Sequence, residues 1–153
     1  MTRTRNVLVV LALALGALVG VPASAMAGPA AVPEGCRNAG GGGYASCNGK
    51  DPQAMGCSSG ATTTASGRAK NGVWVELRYS SGCQAYWTRY TNTPGSTGDA
   101  RIWNGAGTVF YKKTLAAYAG ETGWTPMMAA NVNPDACLYF YYADLREWME
   151  YCP

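Results

Sequence analysis

The chain has 153 residues, a formal charge of +3, six cysteines and no histidine. Lacking histidine, it lacks the commonest general base, which excludes Ser–His and Cys–His nucleophile systems and any His-based metal site. The charge is too small, and too evenly spread, for an electrostatic nucleic-acid binder.

Arg3 and Arg5 precede an apolar run over residues 7–19 that only Gly16 interrupts, and Ala23-Ser24-Ala25 supplies the small residues of a cleavage site. That run is shorter than the ~20 residues a membrane helix needs. Residues 1–25 are therefore expected to be a secretory signal peptide, with 27 as the alternative end through Ala25-Met26-Ala27. Its removal takes the charge from +3 to +1 and leaves a secreted, extracellular product of about 126 residues with no integral membrane segment. One hydrophobic core suits that length. Cys36, Cys47, Cys57, Cys83, Cys137 and Cys152 all lie in this part. An even number of cysteines after an export signal implies disulfides, although six allow about 15 pairings. Zinc is not expected, because no Cys-x-x-Cys pair occurs.

Residues 26–46 are rich in Ala, Pro and Gly, with four consecutive glycines from Gly40 to Gly43, and read as a flexible arm tethered at Cys36. The compact domain is expected over residues 47–153. It starts with a turn-rich loop, Cys47-Asn48-Gly49-Lys50-Asp51-Pro52, that closes at Cys57. Residues 61–66 are small and Thr-rich, which suits a strand or an extended edge. Val73, Val75, Leu77 and Tyr79 alternate with Trp74, Glu76 and Arg78, the clearest strand in the chain. Ser80-Ser81-Gly82 turns into a returning strand over residues 85–91. A turn centred on Ser81-Gly82 sets Leu77 opposite Tyr86, Val75 opposite Thr88, and Trp74 against Arg89 as a cation–π pair.

Residues 93–99 read as an exposed loop. Asn104-Gly105 then joins Arg101-Ile102-Trp103 to residues 108–112 in a second hairpin, with Lys112-Lys113 a solvated strand end. Residues 114–123 are ambiguous, and residues 138–142 form a buried strand. Asp144 and Glu147 are spaced as a capping box, and Leu145, Trp148, Met149 and Cys152 share one helical face, so a short C-terminal helix is expected. The fold class is mostly β: a small disulfide-stapled antiparallel sheet or barrel-like domain with that helix at its end.

The run from Cys47-Asn48-Gly49-Lys50-Asp51-Pro52 to Cys57, then Ala61-Thr62-Thr63, Val75-Glu76-Leu77-Arg78-Tyr79-Ser80, Cys83 and Trp87, resembles the YjfA-like family of small secreted proteins from Gram-positive bacteria. The likeness covers residues 47–91. It implies secretion and a compact domain, and it carries over no activity and no catalytic residue; Cys36 and the glycine-rich arm depart from the family pattern.

A carboxylate pair is the remaining catalytic option. Nine acids occur, at Glu34, Asp51, Glu76, Asp99, Glu121, Asp135, Asp144, Glu147 and Glu150, and they are scattered. Glu76 reads as an ion-pair partner of Arg78. Asn131-Val132-Asn133-Pro134-Asp135 lacks the glycine and distal glutamate of a calcium loop. No catalytic residue, metal or cofactor is expected. Lys50 and Asp51 form either a recognition pair or an Asx turn with a solvent charge. Arg78 and Arg89 with Trp74, Trp87 and Trp103 form either a contact platform or part of the core. The reading is a secreted non-catalytic binding or adaptor module that docks another secreted or surface protein, for example within a secreted multi-protein toxin assembly. A protease inhibitor or a cell-wall glycan binder is the alternative. A small carboxylate hydrolase using Asp51 or Glu76 comes third.

Overall fold

The computed structural model describes residues 47–153 apart from Ala117; the signal peptide, the arm and Cys36 lie outside the described residues. The described strands are β1 (Thr62–Arg68), β2 (Trp74–Ser80), β3 (Ala85–Thr91), β4 (Gly98–Trp103), β5 (Phe110–Thr114), β6 (Thr122–Trp124), β7 (Met128–Ala129), β8 (Asp135–Tyr142) and β9 (Glu147–Tyr151). They build two antiparallel sheets. One runs β1-β2-β3-β6 with β7 also on β3, and the other runs β5-β4-β8-β9.

Period-two alternation decides what lies between the sheets. Val75 and Leu77 of β2 and Tyr90 of β3 face Ala100 and Ile102 of β4 and Ala136, Leu138 and Phe140 of β8, and all are buried. Each large apolar side chain buried here contributes roughly 1.5–3 kcal/mol. Two side chains also tie sheet to sheet. The Thr88 hydroxyl donates to the Arg101 carbonyl at 2.6 Å. The Tyr90 hydroxyl donates to the Thr114 carbonyl at 3.3 Å and accepts from the Ala116 amide at 3.0 Å. A second core lies on the far side of the first sheet, where Cys47, Cys57, Cys83, Ala85, Trp87 and Met127 are buried together. Disulfide Cys57–Cys83 ties the loop before β1 to the β2–β3 turn, and Cys137–Cys152 ties β8 to the residue after β9.

The alternating strand of residues 73–79, its return and the aromatic strand before the tail all form, but four expectations need correction. The sheets stack as an open pair with no closed barrel. The β2–β3 register is displaced by two residues: Leu77 faces Thr88, Val75 faces Tyr90 and Tyr79 faces Tyr86. The cause is the turn, which spans residues 81–84, places Gln84 in the left-handed region (φ 50°) and carries Cys83 to its bridge. A two-residue shift keeps every side chain on its expected face. The β4–β5 hairpin has a six-residue loop in place of a tight Asn-Gly turn, because the Asn104 side chain accepts from the Thr108 and Val109 amides at 2.9 and 3.0 Å.

The fourth concerns the tail, which is a strand: the only helical element between β7 and β9 is a single 3-10 turn, Ala130–Val132. Arg146, at φ 53°, turns the chain so that Tyr142 faces Glu147 and Leu138 faces Tyr151. Cys152 must then meet Cys137 at the start of β8. Going back along five residues of strand takes about 17 Å, which five helical residues, at about 7.5 Å, cannot span. The cross-link requires an extended tail.

Gly123 sits opposite Tyr90 in the β3–β6 pairing, and a Cβ there would overlap the Tyr90 ring and hydroxyl. Gly123→Ala should therefore displace the phenol that ties the sheets, costing about 1–3 kcal/mol. Thermal unfolding would register this as a midpoint lowered by about 4 °C or more. An unchanged midpoint would mean that the ring moves aside at no cost.

Candidate binding surfaces

The segment from Cys47 to Cys57 has no strand of its own, yet it is well bonded. The Gly49 amide donates to the Met127 carbonyl at 2.9 Å, the Met127 amide donates to the Lys50 carbonyl at 2.8 Å, and the Ala129 amide donates to Asn48 Oδ1 at 2.7 Å. Asp51 Oδ1 accepts from the Gln53 and Ala54 amides at 2.8 and 2.9 Å, an Asx-type cap before Pro52. Its Oδ2 accepts from Trp124 Nε1 at 2.9 Å. Partial burial pushes the Asp51 carboxyl up, but the Ala54, Trp124 and Gln53 hydrogen bonds and the Lys113 charge outweigh this and hold it below its ordinary value. Lys50 is exposed beside it.

Trp74, Glu76, Arg78, Trp87 and Arg89 share the outer face of the first sheet, as Glu76 pairs with Arg89 and Arg78 with Trp87. They form no open platform. Trp87 is 3% exposed, lying under the disulfide-tied loop. Glu76 accepts from Arg89 Nε at 2.5 Å and from the Thr63 hydroxyl at 3.0 Å. Arg78, expected to be its main partner, is 4.0 Å away and donates instead to the Thr63 hydroxyl at 2.6 Å and the Ala61 carbonyl at 2.7 Å. Burial raises the Glu76 carboxyl, but the Arg89 and Thr63 hydrogen bonds, with the charges of both arginines, lower it further, leaving it below its ordinary value. Trp74 carries the Arg68 guanidinium, 5.6 Å from its ring, and not Arg89. Its nearness to β1 explains the exchange, since Arg68 is directly opposite it.

Trp103 lies on the other sheet, whose outer face differs in kind. Asp99, Arg101 and Trp103 of β4, Tyr139 and Tyr141 of β8 and Trp148 of β9 project there, with Phe110 of β5. The Arg101 guanidinium lies 4.0 Å from the Tyr139 ring centre. Tyr139 in turn stacks on Trp148, centroids 5.0 Å apart and planes 9° apart. Tyr141 meets Trp148 edge-on, and Phe110 packs against Trp103. Asp99 and Glu150 reach Arg101 only at 3.8 and 3.9 Å. Arg101 Nε and Trp103 Nε1 are buried with no hydrogen-bond partner among the described residues. Trp148 is 52% exposed, and Leu145 and Val109 are also exposed at the rim.

Sequence reasoning named Trp103 alone on this face. Reading the tail as a helix turned Trp148 inward, and reading residues 138–142 as fully buried hid Tyr139 and Tyr141. The signal was present: Leu138 and Phe140 alternate with Tyr139 and Tyr141, and Met149 and Tyr151 with Trp148 and Glu150.

A cleft of about 490 Å³ opens elsewhere, lined by Asp51, Tyr90, Lys112, Lys113, Glu121 and Trp124 among others. A smaller one of about 330 Å³ lies beside Trp103, Asp135, Glu150 and the Cys137–Cys152 bridge. Among the described residues no three Cys, Asp or Glu side chains come together as a metal cage, and no helix is long and apolar enough to cross a membrane. The two disulfides mark an oxidising environment.

A family model described as a protein of unknown function (DUF2690) matches residues 45–137, more than half of the chain and all of the stretch from Cys47 to Trp87. No curated protein and no solved structure matches the chain.

Asp51 and Glu76 both have carboxyls lowered in the folded state. Their stabilisation is therefore fully present above the unfolded carboxylate range and is lost as pH falls through the lowered folded values. The melting midpoint should drop over that interval. Glu76→Gln should cost about 1–3 kcal/mol at neutral pH and flatten the acid limb. Parallel melting curves for parent and variant between pH 3 and 7 would contradict the assignment.

Proposed function

We propose that this chain, which belongs to the DUF2690 family of proteins of unknown function, is an exported, non-catalytic contact module that docks another extracellular protein. The observation that carries the proposal is the Arg101–Tyr139–Trp148 stack on the open face of the second sheet. Tryptophan, tyrosine and arginine dominate protein–protein hot spots, and here all three are aligned by strand pairing with no covering element among the described residues. Tyr139 is flanked on one side by the guanidinium and on the other by the indole, so it has no open face on which a sugar could stack. A protein partner, which can use ring edges together with the exposed Tyr141, Trp148, Leu145 and Val109, suits this surface better than a glycan.

Export is supported by the leader-like first 25 residues and by the two disulfides. The narrower kinship with YjfA-like secreted proteins is part of the same proposal, as is a setting in a secreted multi-protein assembly. The two acids that a hydrolase would use, Asp51 and Glu76, have their oxygens engaged in hydrogen bonds that hold a loop and a sheet. That arrangement favours contact over turnover.

A photo-crosslinker at Leu145 on the platform rim, used in native culture fluid, should trap a defined protein. Binding of that protein, once purified, should weaken at least tenfold for Trp148→Ala, equivalent to about 1.4 kcal/mol or more, while the melting midpoint stays within a few degrees. Equal affinity of the parent, Trp148→Ala and Tyr141→Ala would remove the second sheet from the docking role.

A further inference from the structure

We propose that the free edge of β9 takes up an extended strand from the partner, and that this strand alternates basic with apolar side chains. The inference rests on the docking role given to the second sheet and names the chemistry of what docks there. β9 ends the order β5-β4-β8-β9, so it has a neighbour on one side only. Cys137 and Cys152 stand opposite each other one step beyond the Leu138–Tyr151 pair, with Cα atoms 4.2 Å apart. That close spacing belongs to a non-hydrogen-bonded pair of an antiparallel ladder. Alternation then makes Tyr139–Glu150 and Tyr141–Trp148 pairs of the same kind. The backbone N–H and C=O groups of Trp148 and Glu150 therefore turn away from β8, toward the open edge. Among the described residues no other segment bonds to them. Such a row of unpaired groups is a template for an added strand.

Charge and packing specify that strand. From Tyr141 to Pro153 the chain carries Asp144, Glu147 and Glu150 against a single base, Arg146. Glu150 reaches Arg101 only at 3.9 Å, and its side chain is still 44% exposed. A second copy of β9 is a poor occupant, because each copy would bring two glutamates and no base to the joint. A basic strand meets the opposite sign. Its side chains on the outer face would lie beside Trp148 and Glu150, where an ammonium or guanidinium gains a cation–π contact with the indole and an ion pair with the carboxylate. Its alternate side chains would fall on the inner face beside Met149 and Tyr151, which are half-buried against the core. Apolar residues there extend that core by one strand.

The test uses the protein purified from culture fluid and three blocked octapeptides. One alternates lysine with valine, one alternates glutamate with valine, and one is the lysine peptide N-methylated at its lysines, which keeps the charge but removes the N–H groups that would face β9. The lysine peptide should bind with a submillimolar Kd and slow hydrogen exchange at the Trp148 and Glu150 amides. The glutamate and N-methyl peptides should each bind at least about tenfold more weakly. Glu150→Pro, which removes an outward N–H and leaves the pairing with β8 intact, should lose about tenfold or more, and Glu150→Gln should lose less. Glu121→Gln, beside β6 of the other sheet, is the control for lost charge. Melting curves of every variant separate loss of the edge from loss of the fold. Equal binding of either comparison peptide, an unaffected Glu150→Pro, or amide protection on β1 or β5 in place of β9 would each overturn the proposal. A trapped partner that binds Glu150→Pro as it binds the parent, but not Trp148→Ala, would leave the docking face standing and remove strand addition alone.

Discussion

The Cys57–Cys83 bond is the constraint from which the second core and the larger cleft both follow. It holds residues 47–57, which form no strand, against the outer face of the first sheet, where they bury Trp87 and Met127. Closing a loop with a sequence separation of 26 removes chain entropy worth about 3.5 kcal/mol in the simplest model. For a domain this small that is a large share of a typical net stability. Once the loop is held, its Asp51 reaches Trp124, and the indole becomes a fixed wall of the cleft. A single covalent tie therefore fixes a cleft wall, Trp124, that is far along the chain from either sulfur.

Much of the central sheet was legible in the sequence because its signals are local. Val73, Val75, Leu77 and Tyr79 alternate, the return strand follows at once, and the inward faces were identified correctly. The exact register was not legible. It depends on how many residues the turn uses, and Cys83's bridge lengthens that turn by a demand that arises 26 residues upstream. The tail was misread for a related reason. Asp144, Glu147, Leu145 and Trp148 satisfy helical spacing, but the separation of Cys137 from Cys152 can be closed only by an extended chain. Propensity and pattern gave way to a long-range cross-link in both places.

The same logic accounts for the candidate site residues. Trp74, Arg78, Trp87 and Arg89 were grouped by the sequence, and the sheet does bring them to one face. What the sequence could not convey was that the face is occupied: Trp87 by the tied loop, and both arginines by Glu76, Thr63 and the Ala61 carbonyl. Arg101, Tyr139 and Trp148 come from three separate strands and meet only when β4, β8 and β9 are side by side. No window of the sequence contains that arrangement.

Trp87 and Trp148 make the distinction plain, because they are the same residue type with opposite fates. Both stand on the outer face of a sheet, and either would expose a large apolar surface if left alone. Trp87 is covered because a disulfide-bound loop is delivered over it. Trp148 has no covering segment among the described residues, and it is buttressed instead by Tyr139 and, beyond it, by Arg101. Stacking of this kind immobilises the rings before any partner arrives, so less conformational entropy remains to be lost on association. An aromatic patch that is exposed yet already ordered has the physical character of a preformed interface. An exposed tryptophan on a loose tail would lack it. The Cys137–Cys152 bond supplies that order, since it keeps β9 extended along β8 and hence Trp148 in register with Tyr141.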